Sequence, residues 1–239
     1  MPESSKKPLA VVIGVGAGLG AALARRFADR YKVAIVARKA DYLEGVAGEI
    51  RAAGGEALPV PADVADQNAL AAAFTTIRNS GNPEILIYNA AMRPFGMLME
   101  TKASTFENTW RVNALGAFLA SKEVVPAMLE AGHGVILFTG ATAGIKPFPT
   151  SAAFGPAKLA MRGLAQVMAR DLGPKGIHVA YINIDGPIDM PFIRTRMPNA
   201  MEQDLLKPSA IAETYWHLAH QDPSCWTHAI DVRPSKEKF

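Results

Sequence analysis

The stretch VVIGVGAGLGAALARRF, residues 11–27, decides the fold. A β-branched run passes directly into Gly14-x-x-x-Gly18-x-Gly20, after which apolar residues recur at helical spacing. Glycine lets the chain turn tightly and bring its backbone against an anion, and the N–H groups and positive dipole end of a helix start stabilise a phosphate there. Strand, glycine loop (Gly14, Gly16, Gly18, Gly20) and a helix opening at Leu19 therefore read as the first βα turn of a dinucleotide-binding unit. Glycines serving only a tight turn would not need this spacing between a strand and an amphipathic helix.

Working outward, short β-rich runs alternate with stretches of helical period: LAVVIGV then 19–30, KVAIVA then 41–53, EALPVPAD then 67–80, EILIYNA then 105–131, GVILFTG then 152–172, and IHVAYINID. This alternation predicts βαβ units with right-handed crossovers, hence an α/β fold: a doubly wound parallel sheet of the Rossmann kind with helices on both faces. No linker or repeat divides residues 1–239, which predicts one dinucleotide-binding domain. Only the segment 187–208, with four prolines and bulky apolar residues, reads as irregular, and it is a candidate cover for a substrate.

Composition removes several functions. A net charge of +3 and a pI near 9.0 come from scattered Lys and Arg, with no basic cluster larger than short runs such as Arg25-Arg26 and the KEK at 236–238, so nucleic-acid binding is not expected. No run of ~18 uninterrupted apolar residues predicts a membrane span. The N-terminal KKPLAVVI resembles the start of a secretory signal, but the glycines that follow serve a phosphate loop better. The single cysteine, Cys225, excludes an internal disulfide, suits a reducing, cytoplasmic location, and reads as a small buried hydrophobe. No metal site is expected.

The second apolar run ends Ala37-Arg38-Lys39. An NAD-specific site would carry an acid there for the ribose 2′-hydroxyl, whereas Arg38 and Lys39 suit a 2′-phosphate, so NADP is expected ahead of NAD. The plain alternative is that both are surface charges.

Together the glycine spacing, ADV at 62–64, YNAA at 88–91, RVNALGAF at 111–118 and Lys158 resemble the short-chain dehydrogenase/reductase family, over Leu9 to about Ile188. The resemblance implies an NAD(P)-dependent oxidoreductase acting on a small molecule as a homo-dimer or homo-tetramer. It further implies that Asp63 and Val64 meet the adenine, and that Asn89, Ala90 and Ala91 line the cofactor. Asp63 capping the next helix, or Asn89 merely ending a strand, are the structural alternatives. Of the family's catalytic tetrad, Asn113 fits the helical asparagine and Lys158 the ribose-binding lysine, or else they are a satisfied core asparagine and a surface lysine. The serine position falls on Ala141 and the tyrosine position on Phe154.

A phenyl ring and a methyl group can neither donate nor accept, so the cofactor half of the site is kept and the proton-donating half is lost. Thr142, beside the vacant serine position, is the first candidate replacement, ahead of Thr139 and Ser151. After the sixth run, Gly186 and Ile188 are expected to approach the carboxamide. Asp185 is either a cap or a functional acid, and Met190 and Phe192 sit with Ala141 and Phe154 in the substrate pocket. Met92, Phe95, Met97, Met99, Phe148 and Met197 are further apolar candidates, and Arg93, Arg194 and Arg196 hint at an acidic substrate group. Two functions stay open: an oxidoreductase with an altered donor set, or an NADP-binding scaffold or sensor without carbonyl-reductase activity.

Overall fold

A computed structural model describes residues 7–236, so Glu237 and Lys238 of the KEK cluster lie outside the described residues. Seven strands form one all-parallel sheet: β1 (Leu9–Ile13), β2 (Lys32–Ala37), β3 (Glu56–Pro61), β4 (Pro83–Tyr88), β5 (Gly134–Thr139), β6 (Ile177–Ile184) and β7 (Ala229–Val232). Their order is β3-β2-β1-β4-β5-β6-β7. The chain reverses direction across the sheet between β1 and β4, and in a doubly wound sheet the crevice at the strand ends there is where ligands bind. The expected fold class is the one observed.

The periodicity of β1 explains the layering. All five of its residues are buried, as expected for a parallel strand covered on both faces. Leu9, Val11 and Ile13 enter one core with Leu70, Phe74, Val124 and Met161, while Ala10 and Val12 enter the other with Leu23, Phe27, Leu43 and Tyr215. The first core is closed by α3 (Gln67–Arg78), α5 (Gly116–Ala131) and α6 (Phe154–Leu172), the second by α1 (Leu19–Ala28), α2 (Ala40–Ala52) and α8 (Pro208–Ala219). Two shorter helices are α4 (Ala103–Trp110) and α7 (Pro191–Arg196). Asp66 caps α3 by accepting from Asn68 N and Ala69 N at 2.8 and 3.1 Å, an interaction typically worth ~1 kcal/mol.

Several expectations need correction. The segment 187–208 is not wholly irregular: Pro191, with its fixed φ, starts α7. Helix α8 and strand β7 were not anticipated, although Pro208 followed by buried Ile211, Ala212, Tyr215 and Leu218 is a helical pattern. The expected helix 105–131 is α4, a π turn over Arg111–Leu115, and α5. Taken as one segment of 29 residues, Ala103–Ala131 has the length and composition of a membrane span, but Ala117, Ala120, Val124 and Met128 pack into the core against the sheet. Cys225 is exposed, not buried, because it lies in a single turn after α8 that packs on no core.

Candidate active site

Four loops leave the carboxyl edge of the central strands, and the candidate residues ride on them. After β1, Gly14 takes φ +90°, and a Cβ there would lie 2.3 Å from Ala90 N. A Cβ on Gly20 would meet Gly14 O at the same distance, while one on Gly16 would meet nothing within 4 Å. Two of the glycines thus allow backbone to press on backbone, and Gly16 leaves open space for a ligand. Gly18, in extended backbone, faces the Met190 side chain. The loop is held by Gly14 N donating to Val36 O at 2.8 Å and by Asn89 Nδ2 donating to Gly14 O at 2.9 Å. No side chain caps α1, and while Ala21 N donates to Gly16 O, the N–H groups of Leu19 and Gly20 are left for an anion.

A hollow of about 390 Å³ runs from this loop to the start of α6. Gly14, Gly16, Gly18, Leu19, Gly20, Asn89, Ala91, Lys158, Gly186, Ile188 and Met190 line it. A second hollow of about 430 Å³ lies beside it, and Arg93, Ala141, Phe154, Gly186 and Phe192 are common to both. Thr142, Phe95, Phe148 and Met197 line the second alone. Met92, Met97 and Met99 line neither, and Met97 and Met99 are exposed at the surface. Arg194 also points elsewhere, pairing with Asp189 at 2.7 and 2.8 Å.

Arg38 and Lys39 are exposed at the end of β2, beside the glycine loop that hangs from Val36. Asp63 accepts from Ala65 N at 2.9 Å, a local turn that orients its carboxylate, and Val64 packs under Gly116. Ala90 is the backbone on which Gly14 rests.

Lys158 is 2% exposed, and its Nζ donates to Thr139 O at 2.8 Å. Burial with no carboxylate beside it pushes the amine down from 10.5 to about 7. The Phe154 ring stands one turn earlier on α6, its centroid 5.7 Å from the lysine Nζ. Neither Phe154 nor Ala141 presents a polar side-chain atom to the hollows they line. Asn113 is fully buried in the π turn and donates at 2.9 Å to Met92 O and to Thr109 O, tying the helix to the loop after β4. Its Oδ1 is buried without a partner among the described residues, an unsatisfied acceptor. Asn113 lines neither hollow.

The candidate replacement donors are each engaged in a hydrogen bond. Thr142 Oγ1 donates to Asp185 Oδ1 at 2.8 Å, so its proton is turned to a carboxylate and its lone pairs are what remain for a ligand. Ser151 donates to Phe148 O and accepts from Phe148 N within a turn, and Thr139 Oγ1 accepts from Tyr215. Asp185 itself is 3% exposed and faces Lys146 at 3.6 Å and Arg233 at 3.8 Å, a buried paired acid that joins the loops after β5 and β6 to the segment after β7. Sequence reasoning missed Gly140, Ile184 and Ile193, which also line the hollows. A glycine directly after a strand was the available signal for Gly140.

Comparison with known proteins fits this geometry. The short chain dehydrogenase family matches residues 8–201. Versicolorin reductase 1 of Aspergillus parasiticus is 34% identical over 174 residues, 72% of this chain and 66% of that protein. An inactive 2-(S)-hydroxypropyl-CoM dehydrogenase 2 of Xanthobacter autotrophicus is 38% identical over 149 residues, 62% of this chain and 64% of that protein. The chain thus spans about two thirds of the length of these relatives. The crystal structure of a metagenomic short-chain oxidoreductase in complex with NADP superposes with a TM-score of 0.84 at 28% identity, covering 96% of this chain and 98% of that one. With a family match over most of its length, laid on the glycine loop and the parallel sheet described above, the chain belongs to the short-chain dehydrogenase family.

Proposed function

We propose that this protein is an NADP(H)-dependent oxidoreductase whose carbonyl-oxygen side lacks the usual hydroxyl donors, Phe154 and Ala141 standing where the family's tyrosine and serine would be. The observation that carries the cofactor half is the cradle at Gly14 and Gly20, where no Cβ fits, opening at Gly16 into a hollow that ends at Lys158. Gly14, Gly16, Gly18, Leu19 and Gly20 would hold the pyrophosphate, Asp63 and Val64 the adenine end, and Asn89, Ala90, Ala91, Gly186 and Ile188 the remaining walls. Arg38 and Lys39, exposed beside the loop and without an acid partner among the described residues, suit a 2′-phosphate, as does the NADP bound by the metagenomic relative. When bound, the dinucleotide supplies or accepts a hydride.

The protein's own groups then decide what substrate reacts. Lys158 both positions the ribose and holds a proton near neutral pH, since its amine is pushed to about 7. Thr142 donates to Asp185 and so offers a substrate only its lone pairs, and Met190 and Phe192 cover the reacting end from the 187–208 segment. A general acid typically contributes ~10²–10⁴ in rate and one oxyanion donor ~10²–10³, so an unactivated ketone should react slowly here. An activated double bond, an imine, or a carbonyl that takes its proton from Lys158 through water asks less of the missing donors.

The second reading, an NADP-holding scaffold or sensor, is favoured by the same bare surfaces of Ala141 and Phe154 and by the commitment of the Thr142 proton to Asp185. Nicotinamide fluorescence on titration tests the cofactor half, and NADPH oxidation against a quinone, a dicarbonyl and an enone tests the enzyme. Binding with oxidation of any of them supports the first reading, while binding with none supports the second.

The subunits are proposed to pair through the long helices. Phe106, Trp110 and Phe118 on α4 and α5, and Leu159 and Val167 on α6, are large apolar side chains between 40% and 65% exposed. Light scattering at micromolar concentration should report a dimer or tetramer, and a monomer would refute this.

A further inference from the structure

The second hollow is lined by positive charge that no acidic residue of its lining balances among the described residues. Its lining includes two arginines, Arg93 and Arg196, and no acidic side chain among the described residues. Their guanidiniums lie 5.0 and 4.7 Å from the centre of the same Phe95 ring, which places them no more than about 10 Å apart, close enough for mutual repulsion. Arg93 also approaches the Phe154 ring at 5.8 Å, and Arg196 the Phe192 ring at 5.4 Å. Rings satisfy a guanidinium's faces but leave its N–H fork unused.

The contrast within α7 is direct. Two residues before Arg196, Arg194 makes a bidentate pair with Asp189 on the outer side. Arg196, also exposed, lines the hollow instead, over the Phe95 and Phe192 rings, and makes no acid pair among the described residues.

We propose that the mouth of this hollow binds the carboxylate of an organic acid between Arg93 and Arg196, with the apolar body of the acid against Phe95, Phe148 and Phe192. The inference rests on the reading of the adjoining hollow as the dinucleotide site, because it makes the shared wall at Ala141 and Phe154 the reacting end. The acid group then sits where Arg196 lines the second hollow alone, with Arg93 reaching it from the shared wall. Burial and the neighbouring Arg196 hold the Arg93 guanidinium below its ordinary value, a cost that a bound anion relieves. About 430 Å³ accommodates a bicyclic acid.

The test uses the full chain, 2-naphthoate as probe, and 2-naphthamide as its neutral counterpart, with affinities measured by calorimetry in the presence of NADP. Naphthoate should bind ~10-fold or more tightly than naphthamide, since hydrogen bonds to charged groups are the stronger ones. Arg196→Gln should weaken naphthoate by ~10–100-fold, leave naphthamide unchanged, and leave NADPH affinity within ~2-fold. Arg196→Lys should recover part of the loss, and unchanged melting temperatures show that both variants fold.

Equal affinity for the two probes overturns the proposal, as does a naphthoate affinity indifferent to Arg196, or no naphthoate binding at millimolar concentration in protein that binds NADPH. Protein that fails to bind NADPH refutes instead the cofactor reading beneath it. A loss of NADPH affinity on Arg196→Gln assigns the arginine to the dinucleotide and also overturns the proposal.

Discussion

At the β1 end of the cleft, Gly14 and Gly20 leave no room for a Cβ and Asn89 ties the loop to Gly14 O at 2.9 Å. At the β5–α6 end, the facing side chains are Ala141 and Phe154, and the adjacent hydroxyl of Thr142 donates its hydrogen bond to Asp185. Backbone geometry constrains the first region so tightly that few sequences satisfy it. The second region depends on which atoms two side chains carry, and one oxygen on each would change its chemistry without changing the fold. A cleft can therefore keep its binding geometry while its reactivity is free to vary.

The largest expected effect lies in the constrained region. Gly14→Ala or Gly20→Ala places a methyl 2.3 Å from backbone and should cost ~100-fold or more in NADPH affinity, together with a drop in melting temperature. Gly16→Ala, whose Cβ meets nothing within 4 Å, should fold with an unchanged melting temperature and lose affinity alone. If calorimetry finds NADPH binding to Gly14→Ala as in the unmodified protein, the loop is not a phosphate cradle and the comparison fails.

A smaller effect sharpens the adenosine end. Arg38→Asp should lower the NADPH-to-NADH affinity ratio by ~10–100-fold, the value of one or two charge-assisted hydrogen bonds. An unchanged ratio in fluorescence titrations would assign the 2′-phosphate elsewhere.

The smallest effect concerns Lys158, which sits at the join of the two regions. Its folded pKa of about 7 lies below the unfolded 10.5, so between these values the unfolded chain binds more protons. Stability therefore rises with pH from about 7 to about 10.5, and the penalty for a buried charge is fully present below 7. Lys158→Met should be more stable than the unmodified protein at pH 6 by about 1 kcal/mol or more, roughly 2–4 °C in melting temperature, and should lose that pH dependence. A Lys158→Met protein less stable at pH 6, or equally pH-dependent, would mean that the amine is solvated or paired.

Much of the sheet was legible in the sequence because parallel strands buried on both faces are written as unbroken apolar runs, and the glycine loop because its steric demand is absolute. Strand β7, with only four half-exposed residues, carries no such pattern. The inner wall of the cleft was legible as residue types but not as bonds. That Thr142 would meet Asp185, 43 positions away, follows from the sheet bringing the ends of β5 and β6 together, and that Lys158 would donate a hydrogen bond to Thr139 O follows from α6 packing over the end of β5. Cys225 was misjudged because small apolar residues are usually buried, and the turn that holds it lies outside both cores.

The central claim, that the cofactor half is complete and only the donors are missing, is tested most directly by the double variant Phe154→Tyr, Ala141→Ser assayed for NADPH oxidation with a reactive dicarbonyl. Phe154 and Lys158 lie four apart on one face of α6, so a phenol at 154 would stand beside the ammonium, which lowers its pKa and makes it a better donor. The predicted result is a gain of ~10² or more in kcat/KM with NADPH affinity unchanged. A folded double variant that binds NADPH normally and gains nothing would contradict the account.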